Sequence, residues 1–144
     1  GRTAMEDCIF CKIAAGQIPS TTVYETEALR VIADISPANL GHLLILPKTH
    51  AADFTELEEE TALQVMSAAR LVVRAMKKGL APDGINVVQN NGEAAGQTVR
   101  HYHMHIIPRY TGDTVQVTWK QLELPMEEIQ KAAQAVQKAL EERE

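Results

Sequence analysis

The sequence predicts an α+β fold: a mainly antiparallel, five-stranded sheet with one long helix, a short N-terminal helix and a C-terminal helix. Three observations carry this. Short apolar and β-branched runs recur through the middle of the chain, one stretch repeats apolar residues at helical spacing over about four turns, and strand signals outnumber helix signals. The 144 residues, 45% hydrophobic and 23% charged, suffice for one domain with a buried core. Gly1–Ala4 ahead of Met5 reads as an expression-tag remnant, so residues 5–144 are taken as that single domain.

Taken in order, Ile9 to Ala15 forms a short helix ended by Gly16 and by Pro19 soon after. Val23 to Glu25 and Ala28 to Asp34 read as a hairpin, and Leu43 to Leu46 as a third, fully apolar strand stopped by Pro47. Thr55 with Glu58 makes a capping-box pattern for a long helix from Glu56 to Lys78. In it Ala62, Met66, Ala69, Val73 and Met76 recur on one face until Lys77, Lys78 and Gly79 close it. Ile85 to Gln89 is a strand, Asn90 to Gly96 a polar loop, and His101 to Ile107 a strand ended by Pro108. Pro125 starts the last helix, whose Met126, Ile129, Ala133, Val136 and Leu140 share a face.

Composition excludes several function classes. A net charge of -5 with 14 scattered Lys and Arg gives no basic field for nucleic acid. No apolar run approaches the ~20 residues that span a bilayer, and no secretory signal opens the chain, so no membrane partner and a cytoplasmic location are expected. The two cysteines, Cys8 and Cys11, are spaced C-x-x-C, which in that compartment points to metal or redox chemistry before a structural disulfide.

The chemistry gathers at His101-Tyr102-His103-Met104-His105. On a strand, alternate residues share a face, so the three imidazoles are expected to line one side and Tyr102, Met104 and Ile106 the other. Three alternating histidines alone suit a metal as well as catalysis. Just upstream, Asn90-Asn91-Gly92-Glu93-Ala94-Ala95-Gly96-Gln97-Thr98-Val99 combines two glycines with a threonine hydroxyl. Such a loop can turn amide N–H groups toward phosphate oxygens, or simply connect strands. Attached to the histidine run, it favours an imidazole aimed at a phosphoryl group.

Gly96-Gln97-Thr98-Val99-Arg100 followed by His101-Tyr102-His103-Met104-His105-Ile106-Ile107 resembles the signature of the histidine triad family, with an aromatic Tyr102 at a usually aliphatic position. Cys8 to Ile13, Ile18-Pro19, Asp34 to Pro37 and Gly41 to His50 are similar to the Hint branch in its bacterial form, so the resemblance spans almost the whole chain. It implies a purine nucleoside phosphoramidate hydrolase that releases a nucleoside 5′-monophosphate. His103 would attack the α-phosphorus and carry a nucleotidyl intermediate. His105 would contact phosphate and assist proton transfer to the leaving amine. The backbone carbonyl of His101 would set the tautomer of His103, and His42 would lie close by and orient its hydrogen bonds or serve structure alone. Gly96, Gln97, Thr98 and Val99 fall in the phosphate segment and Asn90 near ribose and phosphate. Asp34 would bind the ribose hydroxyls. Ile9, Phe10, Ile13, Ile18, Ile32 and Ile35 would form a purine slot, unless they are plain core.

His50 and His101 complete a Cys2His2 set with Cys8 and Cys11, the ligand types of a closed tetrahedral zinc site, which would be structural. No redox cofactor is implied. The resemblance also implies a homodimer, for which the apolar face of the long helix and the next strand could serve, or that stripe is simply core. Other readings stay open: a dinucleoside polyphosphate hydrolase, a nucleotidyl transferase, or a non-catalytic nucleotide-binding interaction protein.

Overall fold

A computed structural model describes residues 7–143; the proposed tag remnant, Gly1–Ala4, lies outside the described residues. The elements are α1 (Ile9–Ala14), β1 (Thr22–Glu25), β2 (Leu29–Ala33), β3 (Leu43–Pro47), α2 (Glu59–Leu80), β4 (Gly84–Gln89), β5 (Met104–Arg109) and α3 (Met126–Glu141), with 3-10 turns at Phe54–Glu56 and Glu93–Ala95. The five strands form one sheet in the order β1-β2-β3-β5-β4, and every neighbouring pair is antiparallel. The α+β class and the five-stranded sheet are those expected.

Strand alternation divides the core in two. Leu29, Val31, Ile45, Met104 and Ile106 face α2 and pack against Val65, Ala68, Ala69, Val72 and Met76, with Tyr102 buried among them. Ile32, Leu44 and Leu46 face the other way, where Ala14, Phe10 and Ile13 of α1 cover them. By the same alternation His105 lies on the α1 face. One face of the sheet is thus closed by a long helix, and the other holds the histidines.

Several boundaries differ from expectation, each for a physical reason. The histidine strand starts at Met104, not His101. Both ladders of β5 end at Met104, and the amide of Tyr102 donates to the Ala51 carbonyl instead (2.7 Å). Pro108 does not end the strand: its carbonyl accepts from Asn39 Nδ2, so its missing N–H faces the same flank, past the last β3 pair at Ile106. The long helix starts at Glu59 without a side-chain cap on Glu58. The capping box fails because the Asp53 carboxylate caps the preceding turn at the Thr55 amide (2.9 Å) and also takes the Thr55 hydroxyl. Gly79 continues the helix, which ends at left-handed Ala81 just before Pro82. On this helix the expected apolar face is split: Ala69 and Met76 are buried, while Met66 is exposed. The face expected on α3 is present but covers nothing among the described residues, since Met126, Ile129, Val136 and Leu140 are all exposed. No helix among the described residues is long and apolar enough to cross a membrane.

Candidate active site and metal centre

The site grows from the chain between Ala51 and β5. Although His101–His103 precedes the strand, the expected alternation holds: Tyr102, Met104 and Ile106 pack into the α2-side core, and the three imidazoles lie on the α1 side, where Phe10 meets both His101 and His103 and His103 meets His105. His103 and His105 face a cavity of about 410 Å³. His101 turns away from it, fully buried, toward the two cysteines.

The cavity brings together residues from four regions: Ile9, Phe10 and Ile13 of α1, Ile18 beyond it, Ile32, Asp34 and Ile35 at the end of β2, and Thr98 with the two histidines. Its wall is predominantly apolar on the α1 side, with the Phe10 ring standing edge-on to His103 (centroids 4.9 Å, 80°). Sequence reasoning missed five lining residues, Pro19, Ser20, Ala33, Ser36 and Leu44. Pro19, Ser36 and Leu44 lie in stretches that carry the family resemblance but imply no role there, while Ser20 and Ala33 are marked only by adjacency to Pro19 and to Ile32 and Asp34.

The ring nitrogens have defined partners. His103 Nδ1 donates to the His101 carbonyl (2.7 Å), so in the neutral ring Nε2 is left as the lone pair. Burial lowers the His103 pKa, against the opposing pull of the His101 carbonyl and Asp34, and so favours that neutral ring. His105 lies beside it (centroids 5.0 Å) and is lowered to about 4, chiefly by burial and then by its two histidine neighbours. His42 is buried outside the cavity; its Nε2 is 2.9 Å from His105 Nδ1 and 3.6 Å from Asp34 Oδ2.

Of the loop at 90–99, Thr98 alone lines the cavity; Asn90, Gly96, Gln97 and Val99 do not. Gln97 is a brace. It is 4% exposed, its Nε2 donates to the carbonyls of Ala52 and Val99, and its Oε1 accepts from the Gly92 amide, which leaves no free polar atom for a ligand. Gly96 is left-handed (φ 96°), and a side chain there would approach the Asn90 amide at 3.6 Å.

Cys8, Cys11, His50 and His101 form a second centre, their ligand atoms all within 4.8 Å of one another. Cys11 Sγ is 3.2 Å from His50 Nδ1, and both sulfurs are 3.4 Å from His101 Nδ1. Bonds of about 2.3 Å to sulfur and about 2.0 Å to nitrogen at tetrahedral angles set S···N edges of roughly 3.5 Å, so the set fits zinc. The chemistry of the donors agrees. His101 Nε2 donates to the Pro47 carbonyl (2.8 Å), which turns the lone pair of Nδ1 toward the sulfurs. Without a cation, burial and the neighbouring Cys8 push the Cys11 thiol up to about 12. The Cys8 side chain also accepts from the Cys11 amide and so caps α1.

The chain is similar to known proteins in sequence and in fold. A family model described as HIT domain matches residues 15–112. Protein hit of Bacillus subtilis is 50% identical over 116 residues, 80% of this chain and 80% of its own length. Adenosine 5′-monophosphoramidase hnt1 of Schizosaccharomyces pombe is 39% identical over 123 residues, 85% of this chain and 90% of its own. Among solved structures, a zinc-bound histidine triad family protein of Mycobacterium smegmatis superposes with a TM-score of 0.73 at 35% identity, covering 97% of this chain and 99% of that one. With two thirds of its length matched by that family model, the chain belongs to the HIT domain family.

Proposed function

We propose that this protein hydrolyses purine nucleoside phosphoramidates to nucleoside 5′-monophosphates through a nucleotidyl intermediate on His103. The observation that carries this is the bond from His103 Nδ1 to the His101 carbonyl, which leaves Nε2 as a nucleophile beside an apolar slot. His103 Nε2 attacks the α-phosphorus, the P–N bond breaks and the nitrogen leaves as an amine with one added proton. Water then attacks the same phosphorus, the N–P bond to His103 breaks, and the monophosphate departs. In the intermediate the ring keeps its Nδ1 proton and is cationic, so the carbonyl that holds that proton also stabilises the charge. His105 contacts the phosphate and assists protonation of the departing nitrogen, and Asp34 holds the ribose hydroxyls. Ile9, Phe10, Ile13, Ile18, Ile32 and Ile35 sandwich the purine, whose flat apolar faces suit that wall. Thr98 brings the loop to the phosphate; the roles of Asn90, Gly96 and Val99 as phosphate neighbours rest on their place in that loop. The activity named for the Schizosaccharomyces pombe relative supports the substrate class.

Cys8, Cys11, His50 and His101 would hold a structural zinc. Four protein ligands close its shell, so zinc would tie the start of α1 to the chain that carries the His101 carbonyl. A homodimer is part of the same reading: α2 exposes Leu63, Met66 and Leu71, and β4, the sheet edge, exposes Val87. Turnover quenched in alkaline denaturant, in which the acid-labile P–N linkage survives, should trap the nucleotide on wild-type His103 and none on His103→Ala. Equal hydrolysis by the two proteins would overturn the mechanism. Faster hydrolysis of a diadenosine polyphosphate than of adenosine phosphoramidate would overturn the substrate class.

A further inference from the structure

We infer that Asp34, His42 and His105 form a hydrogen-bonded chain of fixed polarity, in which His42 is a positioning residue that makes His105 face the cavity as an Nε2–H donor. The consequence for turnover rests on the proposed function; the polarity itself does not.

Composition alone would suggest another metal centre. One carboxylate and two imidazoles place their ligand atoms within 4.8 Å of one another. The backbone decides otherwise. The amide of Ala38 donates to His42 Nδ1 (3.0 Å), and an amide N–H can only donate, so Nδ1 carries the lone pair. The single proton of a neutral imidazole then sits on Nε2. That proton points to His105 Nδ1 at 2.9 Å, with the Asp34 carboxylate at 3.6 Å on its flank. His105 Nδ1 is therefore the acceptor, and the proton of the neutral His105 ring sits on Nε2, the nitrogen with no partner among the described residues. For His42 to bind a metal through Nε2 it would have to give up that proton while still accepting from Ala38, leaving an imidazolate.

The surroundings favour two neutral rings. His42 is 6% exposed, and burial lowers both imidazole pKa values against the opposing pull of Asp34. A second feature holds the donor in place: Gly41 has φ 96°, a conformation that side chains rarely adopt, and it sits immediately before His42 at the entry to β3. The Asp34 carboxylate is itself oriented, since its Oδ1 accepts from the Ser36 amide (2.8 Å). An Nε2–H at His105 beside the lone pair of His103 gives the cavity one donor for a phosphoryl oxygen and one nucleophile, with neither ring able to exchange roles.

The test is long-range ¹H–¹⁵N correlation on the full chain with ¹⁵N-labelled histidine at neutral pH. His42 and His105 should both appear as Nε2–H tautomers. In His42→Ala, His105 should become a mixture with the Nδ1–H form, and kcat for adenosine phosphoramidate should fall roughly 10²-fold with KM little changed. His42→Gln, whose amide can donate to His105 Nδ1, should recover the tautomer and part of kcat. A wild-type His105 protonated on Nδ1 would overturn the inference, even if neither variant folds. So would a second Co²⁺ bound per chain that His42→Ala abolishes. Correct tautomers with no phosphoramidate hydrolysis would leave the polarity standing and remove the proposed function.

Discussion

His101 and His42 are two buried histidines on the same side of the sheet, each in a cluster whose composition could bind a metal, and each anchored by one backbone bond of opposite sense. His101 gives a proton to a carbonyl, that of Pro47, and so offers a lone pair to Cys8 and Cys11. His42 takes a proton from an amide, that of Ala38, and so offers an N–H to His105. A single reversed backbone bond thus separates a ligand from a proton donor. The clusters also meet at the reacting group: the carbonyl of His101 accepts from His103 Nδ1, while the His105 ring packs against the same imidazole (centroids 5.0 Å).

The most severe way to break this comparison is to remove the group both clusters serve. His103→Ala should lower kcat for adenosine phosphoramidate by about 10⁴-fold or more while leaving zinc content unchanged, checked by single-turnover kinetics and metal analysis.

Next in size is the metal. Cys8→Ser, or strong chelation of wild type, should reduce bound zinc from one per chain toward none. Thermal melting should fall by roughly 10 °C, because a ligand set that is preformed only in the folded state converts metal affinity into stability. If the protein contains no zinc even after zinc is supplied during refolding, the His101 half of the comparison fails.

The His42 half should also respond to acid. His42 and His105 have folded pKa values below the ordinary 6.5, with His105 at about 4. Between those values the unfolded chain binds protons that the folded chain refuses, so stability is fully present above pH 6.5 and is lost as pH falls toward 4. Urea midpoints should decline between pH 7 and pH 5, and the decline should be shallower in His42→Ala, which removes one of the titrating rings.

The smallest effect concerns the loop between the clusters. Gln97→Ala strands the Gly92 amide and the Ala52 carbonyl and should cost about 1–3 kcal/mol in urea unfolding, with the phosphate affinity of the folded protein nearly unchanged. A loss of nucleotide binding at full stability would restore Gln97 as a ligand-contacting residue.

The elements were legible because their signals are local. The continuous apolar run Leu43–Leu46, the helical spacing of Ala69 and Met76, and the apolar run in α1 each follow from neighbours in sequence. Boundaries failed where another group competed for a hydrogen bond: Asp53, two residues away, took Thr55, and Ala51, far along the chain, took the Tyr102 amide. Gln97 was misread for the same reason: its partners lie up to 45 residues away, at Ala52.

Residue order by itself determined the α+β class, the histidines that reach the cavity, the apolar slot before them and the ligand types of the Cys2His2 set. Only the tertiary structure decided which way each imidazole carries its proton, because that depends on a carbonyl at Pro47, a carbonyl at His101 and an amide at Ala38. Every residue but proline carries both backbone groups, so nothing in the sequence distinguishes these from the others until the chain folds and one of them meets a ring.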